Sequence, residues 1–138
     1  MTFEDVEEAR QREKQIRRKE RELRELNRNL MPSKTRTVIV NGREEYSTGG
    51  GSSLPSSPVE NHLRQVMRLE EQIRRLTVLR ERFRREWEAI PDEEVADIIR
   101  LRTDSLCSWQ RISWIVFRSN NESTARMRLK RYTDKAGN

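Results

Sequence analysis

Apolar residues recur along this chain at helical rather than strand spacing. From about Thr2 to Leu30, Ala9, Ile16, Leu23 and Leu30 stand seven residues apart, with Leu26 between the last two. Arg12 and Lys19 fill the other seam positions, so the stripe is thin and needs a partner surface to bury Ile16, Leu23 and Leu26. Met31-Pro32 stops this first helix, because proline lacks the N–H a continuing helix uses. A second helix is predicted from Ser57-Pro58-Val59-Glu60, where Ser57 caps, Pro58 fits the first helical position and Glu60 completes a capping box. Its seam is better defined: Val59, Val66, Ile73 and Trp87 form one heptad series, and Leu69, Leu76, Phe83 and Ile90 the other. Arg80 and His62 interrupt the two series.

Between these helices, residues 32–57 form a connector. Thr37 to Val40, Asn41-Gly42, and Arg43 to Tyr46 have the pattern of a small hairpin around a type I′ turn, and Gly49 to Ser57 has the composition of a flexible linker. The second helix would reach roughly 45 Å if straight, at about 1.5 Å per residue. A stripe of that length must meet the first helix, a second copy of the chain, or both.

Ile90-Pro91-Asp92 ends the arm and starts a third helix, with Val95, Ile98, Ile99 and Leu101 on its buried side. Thr103-Asp104-Ser105 turns the chain. A fourth helix is expected from about Ser108 to Arg118, burying Ile112, Ile115 and Val116, with Trp109 and Trp114 more suited to packing than to base stacking. The last helix is expected from about Asn120 to Thr133, with Ala125, Leu129 and Tyr132 inward and a capping box of Ser119 with Glu122 at its start. The fold class is therefore all-α: a long helical hairpin or coiled-coil arm, then a C-terminal three-helix helix-turn-helix head. The boundaries fall at residues 1–31, 32–57, 58–90 and 91–138.

Composition agrees with narrow stripes rather than a large core, since 33% of the 138 residues are hydrophobic and 38% charged. The net charge of +6 is unevenly spread. Residues 105–138 hold seven Lys/Arg against two acids, whereas residues 91–104 hold two against five. Both long arms mix the signs, as solvated helices with i,i+4 pairs do. The single cysteine, Cys107, has no disulfide partner within the chain, and neither it nor the lone His62 belongs to a metal-ligand or nucleophile constellation. No cofactor and no enzymatic activity are expected. The absence of a secretory leader pattern and of any 18-residue apolar run argues against a membrane partner.

The positive charge concentrates on the terminal helix. With Ala125, Leu129 and Tyr132 inward, Ser123, Arg126, Met127, Lys130 and Arg131 fall largely on the other side. Together with Asn121 and Thr124 near the helix start, these are the expected contacts to double-stranded DNA. Hydroxyls suit phosphates or base edges, Arg126 suits a guanine, and Lys130 and Arg131 suit phosphates.

Asp92-Glu93-Glu94, Ile98 to Arg102, Ser108-Trp109 with Ile112, and Glu122 to Arg131 together resemble region 4 of bacterial sigma factors. The layout of an N-terminal helix, a Gly/Ser connector ending in Ser57-Pro58-Val59-Glu60, a long helix and this C-terminal segment is similar to the ArpU/RinA class of phage transcriptional regulators. The chain departs from the sigma-like pattern at Thr103-Asp104-Ser105-Leu106, where a Tyr and a Gly-Leu turn are usual. It departs again at Arg118-Ser119-Asn120-Asn121, a hinge without glycine and about two residues longer, in which the asparagines stand in for the left-handed residue.

The resemblance implies control of late or packaging genes and a cytoplasmic location in a bacterial host. The residues by themselves imply DNA binding, with a homo-oligomer formed through residues 59–90. Two other readings compete: a small terminase subunit that recognises viral DNA, and a helical adaptor contacting RNA polymerase without binding DNA.

Overall fold

A computed structural model of the chain describes residues 1–29 and 58–136. The expected hairpin at residues 37–46, the Ser57 cap and the connector lie outside the described residues. All regular structure among the described residues is helical: α1 (Phe3–Asn29), α2 (Pro58–Glu88), α3 (Glu93–Thr103), α4 (Trp109–Phe117) and α5 (Ser123–Ala136). None of these helices is long and apolar enough to cross a membrane. The chain divides into two compact units, one comprising Met1–Arg17 with Leu76–Asn138, the other Arg18–Arg75.

The first unit is built on a continuous apolar cluster. Val95, Ile98, Ile99, Ile112, Ala125 and Leu129 are fully buried, so α3, α4 and α5 share one core, joined by Phe83 and Trp87 of α2. Sequence periodicity pointed to all of these. It did not point to Val6, which lies outside the seven-residue series of α1 and is nevertheless fully buried in the same cluster. The first turns of α1 are thus part of this core. Phe3 stacks on Trp109, with ring centroids 5.8 Å apart and planes 14° from parallel.

Polar contacts close around that junction. The Arg102 guanidinium pairs through two nitrogens with the Glu7 carboxylate, at 2.9 and 2.7 Å, and lies over the Trp109 ring at 4.5 Å. Burial pushes the Glu7 carboxyl up, but the Arg102 hydrogen bond and charge outweigh it, so its pKa lies below the ordinary value. Arg10 donates to the backbone carbonyls of Arg102 and Cys107, at 3.1 and 2.9 Å, satisfying carbonyls where α3 has ended.

Asp92 caps α3 as expected, its carboxylate accepting the Val95 N–H at 3.2 Å. Farther along α2, Arg80, which breaks the apolar series, faces a buried Glu13 of α1 at 3.4 Å, so one seam break is answered by an opposite charge.

In the second unit, Val66 and Leu69 of α2 are buried, while Val59, Leu63 and Met67 are exposed at four-residue spacing. His62 donates through Nε2 to the Leu26 carbonyl at 2.7 Å, a structural use of the chain's one histidine. Lys19 donates to Gln72 at 3.0 Å.

Candidate nucleic-acid interface

α4 and α5 pack closely, separated by residues 118–122. α4 starts on Ser108, whose hydroxyl accepts the Arg111 N–H at 3.2 Å. It ends on Arg118, which adopts the left-handed conformation (φ 56°, ψ 31°) and donates its N–H to Trp114 O. The expectation that asparagines would take this geometry is corrected: Arg118 and, before α4, Leu106 (φ 55°) are the positive-φ positions among the described non-glycine residues.

α5 begins at Ser123, three residues later than the sequence suggested. Asn121 accounts for the shift. Its Oδ1 accepts the Ser123 N–H at 2.9 Å and its carbonyl accepts the Thr124 N–H at 3.1 Å, so the backbone turns before the helix can start. The Ser119–Glu122 capping box does not form. Ser119 Oγ instead accepts the Asn121 N–H at 3.1 Å and shares a hydrogen bond with Thr124 Oγ1 at 3.0 Å.

The seven expected DNA contacts are therefore distributed as follows. Asn121 is exposed in the hinge with its side-chain oxygen in use; Ser123 and Thr124 are half-buried at the first turn of α5. Arg126 is half-buried on the flank, Nη2 donating to Ser123 Oγ at 3.4 Å. Met127, Lys130 and Arg131 are exposed and come together on the outer side, opposite Ala125, Leu129 and the buried Thr133. Lys130 Nζ lies 5.1 Å from the Phe3 ring centroid, in a shallow groove also lined by Glu4, Glu7 and Glu8. Arg128, between these cations in sequence, turns the other way and pairs with Asp92 and with Glu94, the latter at 2.8 Å. The Arg128 hydrogen bond and the Val95 amide hold the Asp92 carboxyl below its ordinary pKa, and the same contact raises that of Arg128.

The outer side of α4 also departs from expectation. Trp109 is core, but Trp114 is 48% exposed and Ile115 40% exposed, so neither contributes to the interior in the way the apolar pattern suggested. The buried positions are Trp109, Ile112 and Ser113, which turns the helix about its axis relative to the expected face. Arg118 lies over Trp114 at 5.8 Å, and Arg111 is exposed on the same helix. These two arginines add cations that the sequence reading, centred on α5, did not single out; their spacing of seven was the available signal.

Among the described residues no group of three or more His, Cys, Asp or Glu side chains is arranged to hold a metal ion. No protein-family model, curated protein or solved structure matches the chain.

Proposed function

We propose that the chain is a sequence-specific DNA-binding regulator of phage-type transcription. In this reading α4, the hinge and α5 form a helix-turn-helix completed by α3 into a three-helix head. α1 and α2 are the arms of a helical hairpin that assembles copies of the chain through residues 59–90. The observation that carries the reading is the outer side of α5, where Lys130, Arg131 and Lys135 are exposed and Asp134 is the one exposed acid of the helix itself, Lys130 also bordering Glu4 and Glu8 of α1, on a helix seated by fully buried Ala125 and Leu129. A cationic helix face held on a firm base suits entry into a major groove. Ser123 and Thr124 stand where hydroxyls meet phosphate or base edges, Arg126 and Met127 face base edges, and Lys130 and Arg131 hold phosphates. The exposed Val59, Leu63 and Met67 supply apolar surface for assembly.

Selection of bound fragments from random DNA with the full chain, at near-physiological salt, tests this. A single enriched sequence is expected, with two-fold symmetry if the assembly is a dimer. Arg126→Ala then relaxes preference at one position at a cost of about 1 to 3 kcal/mol. Enrichment of no sequence would reject the reading. The adaptor reading is favoured by Trp114 and Ile115 lying exposed beside Arg111 and Arg118, since tryptophan and arginine concentrate at protein interfaces. Association with RNA polymerase in the absence of any DNA affinity would select it instead.

A further inference from the structure

Ser113 is a polar residue on the inward side of an otherwise apolar helix face, and it is fully buried. Its hydroxyl accepts the Ala125 N–H at 3.0 Å and donates to the Glu122 carbonyl at 3.3 Å. The amides of a helix's first turn have no partners within the helix. In α5 the Ser123 and Thr124 amides are taken by Asn121, within the hinge, whereas the Ala125 amide is taken by a side chain of another helix. Only a small residue permits this, because the Ser113 and Ala125 positions are both completely enclosed. The contact falls two residues after Ser123 and one before Arg126, at the turn from which the proposed reading side chains leave the helix.

We infer that Ser113 is a positioning residue for DNA recognition: capping α5 from α4, it sets the rotation and depth at which Ser123, Arg126 and Met127 are presented. The inference rests on the DNA-binding reading above. Alanine at this position fills nearly the same space but leaves the Ala125 N–H and the Glu122 carbonyl without this partner. The hinge then relaxes to find others, and the first turn of α5 shifts with it. The cations of α5 are untouched. Sequence discrimination, which depends on sub-ångström placement, is lost while charge-driven affinity stays.

The test compares the full-length wild type, S113A and S113C in two measurements. The first is anisotropy titration against the selected duplex and against a scrambled duplex of equal length at fixed salt. S113A is expected to keep its affinity for the scrambled duplex and its salt slope, and to lose roughly tenfold in the ratio of specific to non-specific affinity. S113C, close to serine in size but a much weaker hydrogen-bonding partner, is expected to fall between the wild type and S113A. The second is amide hydrogen exchange, in which S113A is expected to lose protection at Ala125 while Leu129 stays protected. If S113A does not unfold cooperatively, S113C replaces it, with the same readouts. A discrimination ratio unchanged in S113A, or unchanged exchange at Ala125, overturns the inference. A wild type that does not distinguish the two duplexes would reject the DNA reading itself, and exchange at Ala125 would still report whether Ser113 anchors the helix.

Discussion

Arg118 holds the left-handed cap of α4 with a side chain that would ordinarily avoid it, and the pair of variants R118G and R118A isolates what that conformation costs. A non-glycine residue at φ 56°, ψ 31° is less stable there than glycine by about 1 to 2 kcal/mol. Glycine gives back about 0.4 to 1 kcal/mol through the greater freedom of the unfolded chain. Both variants lose the guanidinium placed 5.8 Å from the Trp114 centroid, an exposed contact worth about 0.5 kcal/mol. That loss cancels between them. R118G is therefore expected to be more stable than R118A by about 0.5 to 1 kcal/mol, which is the reverse of the order in a helix interior, where alanine is better by about 1 kcal/mol. Against the wild type, R118A falls by about 0.5 kcal/mol and R118G comes out near neutral. Urea unfolding followed by tryptophan fluorescence and by far-UV circular dichroism measures the difference, which corresponds to roughly 2 to 4 °C in Tm. An alanine variant equal to or more stable than the glycine variant would refute the reasoning and with it the hinge geometry.

Leu129→Ala removes a fully buried side chain from the core shared by α3, α4 and α5, and is expected to cost about 2 to 5 kcal/mol in the same unfolding assay. Asp92 plays two parts, and two variants separate them: D92N keeps an N-cap but loses the charge toward Arg128, costing up to about 1 kcal/mol, whereas D92A also loses the cap, costing about 1 kcal/mol more. Because Arg128 holds the folded-state pKa of Asp92 below its unfolded value, its contribution is present above the ordinary carboxylate range and disappears as pH falls through the folded-state value. Glu7, whose pKa is also lowered, acts with the same sign. Acid titration of stability is therefore expected to be shallower in D92N and in E7Q than in the wild type, and a steeper profile in either would contradict the assignment.

Much of the helical layout was legible in the residues. Pro58 and Asp92 mark the starts of α2 and α3 through backbone chemistry that operates locally, and Val95, Ile98, Ile99 and Leu101 follow a period that admits one buried face. α4 was harder to orient because apolar side chains surround it, and the choice of Trp109 over Trp114 as core depended on distant Phe3, which stacks there. Val6 escaped notice for a related reason: the seven-residue series describes a helix packing against another long helix, whereas the first turns of α1 bury against short ones. At the hinge the local rules competed. Ser119–Glu122 and Asn121 both offer a start for α5, and Asn121 prevails by bonding to the backbone two residues on. Of the proposed reading face, Met127, Lys130 and Arg131 emerge exposed as their spacing implied. Arg126 lies on the flank, and the removal of Arg128 by Asp92 and Glu94 involves partners more than thirty residues away, beyond the reach of local pattern.

The central claim is that the outer side of α5 meets DNA, and the salt dependence of binding tests it most directly. Titrating a duplex with the wild type and with K130A from low to near-physiological ionic strength should give a linear fall of log affinity with log salt, with a slope of about −0.9 per phosphate contacted. For K130A, affinity should drop for every sequence and the slope should diminish by about one. No binding to any duplex at the lowest salt, or an identical slope for the two proteins, would contradict the account.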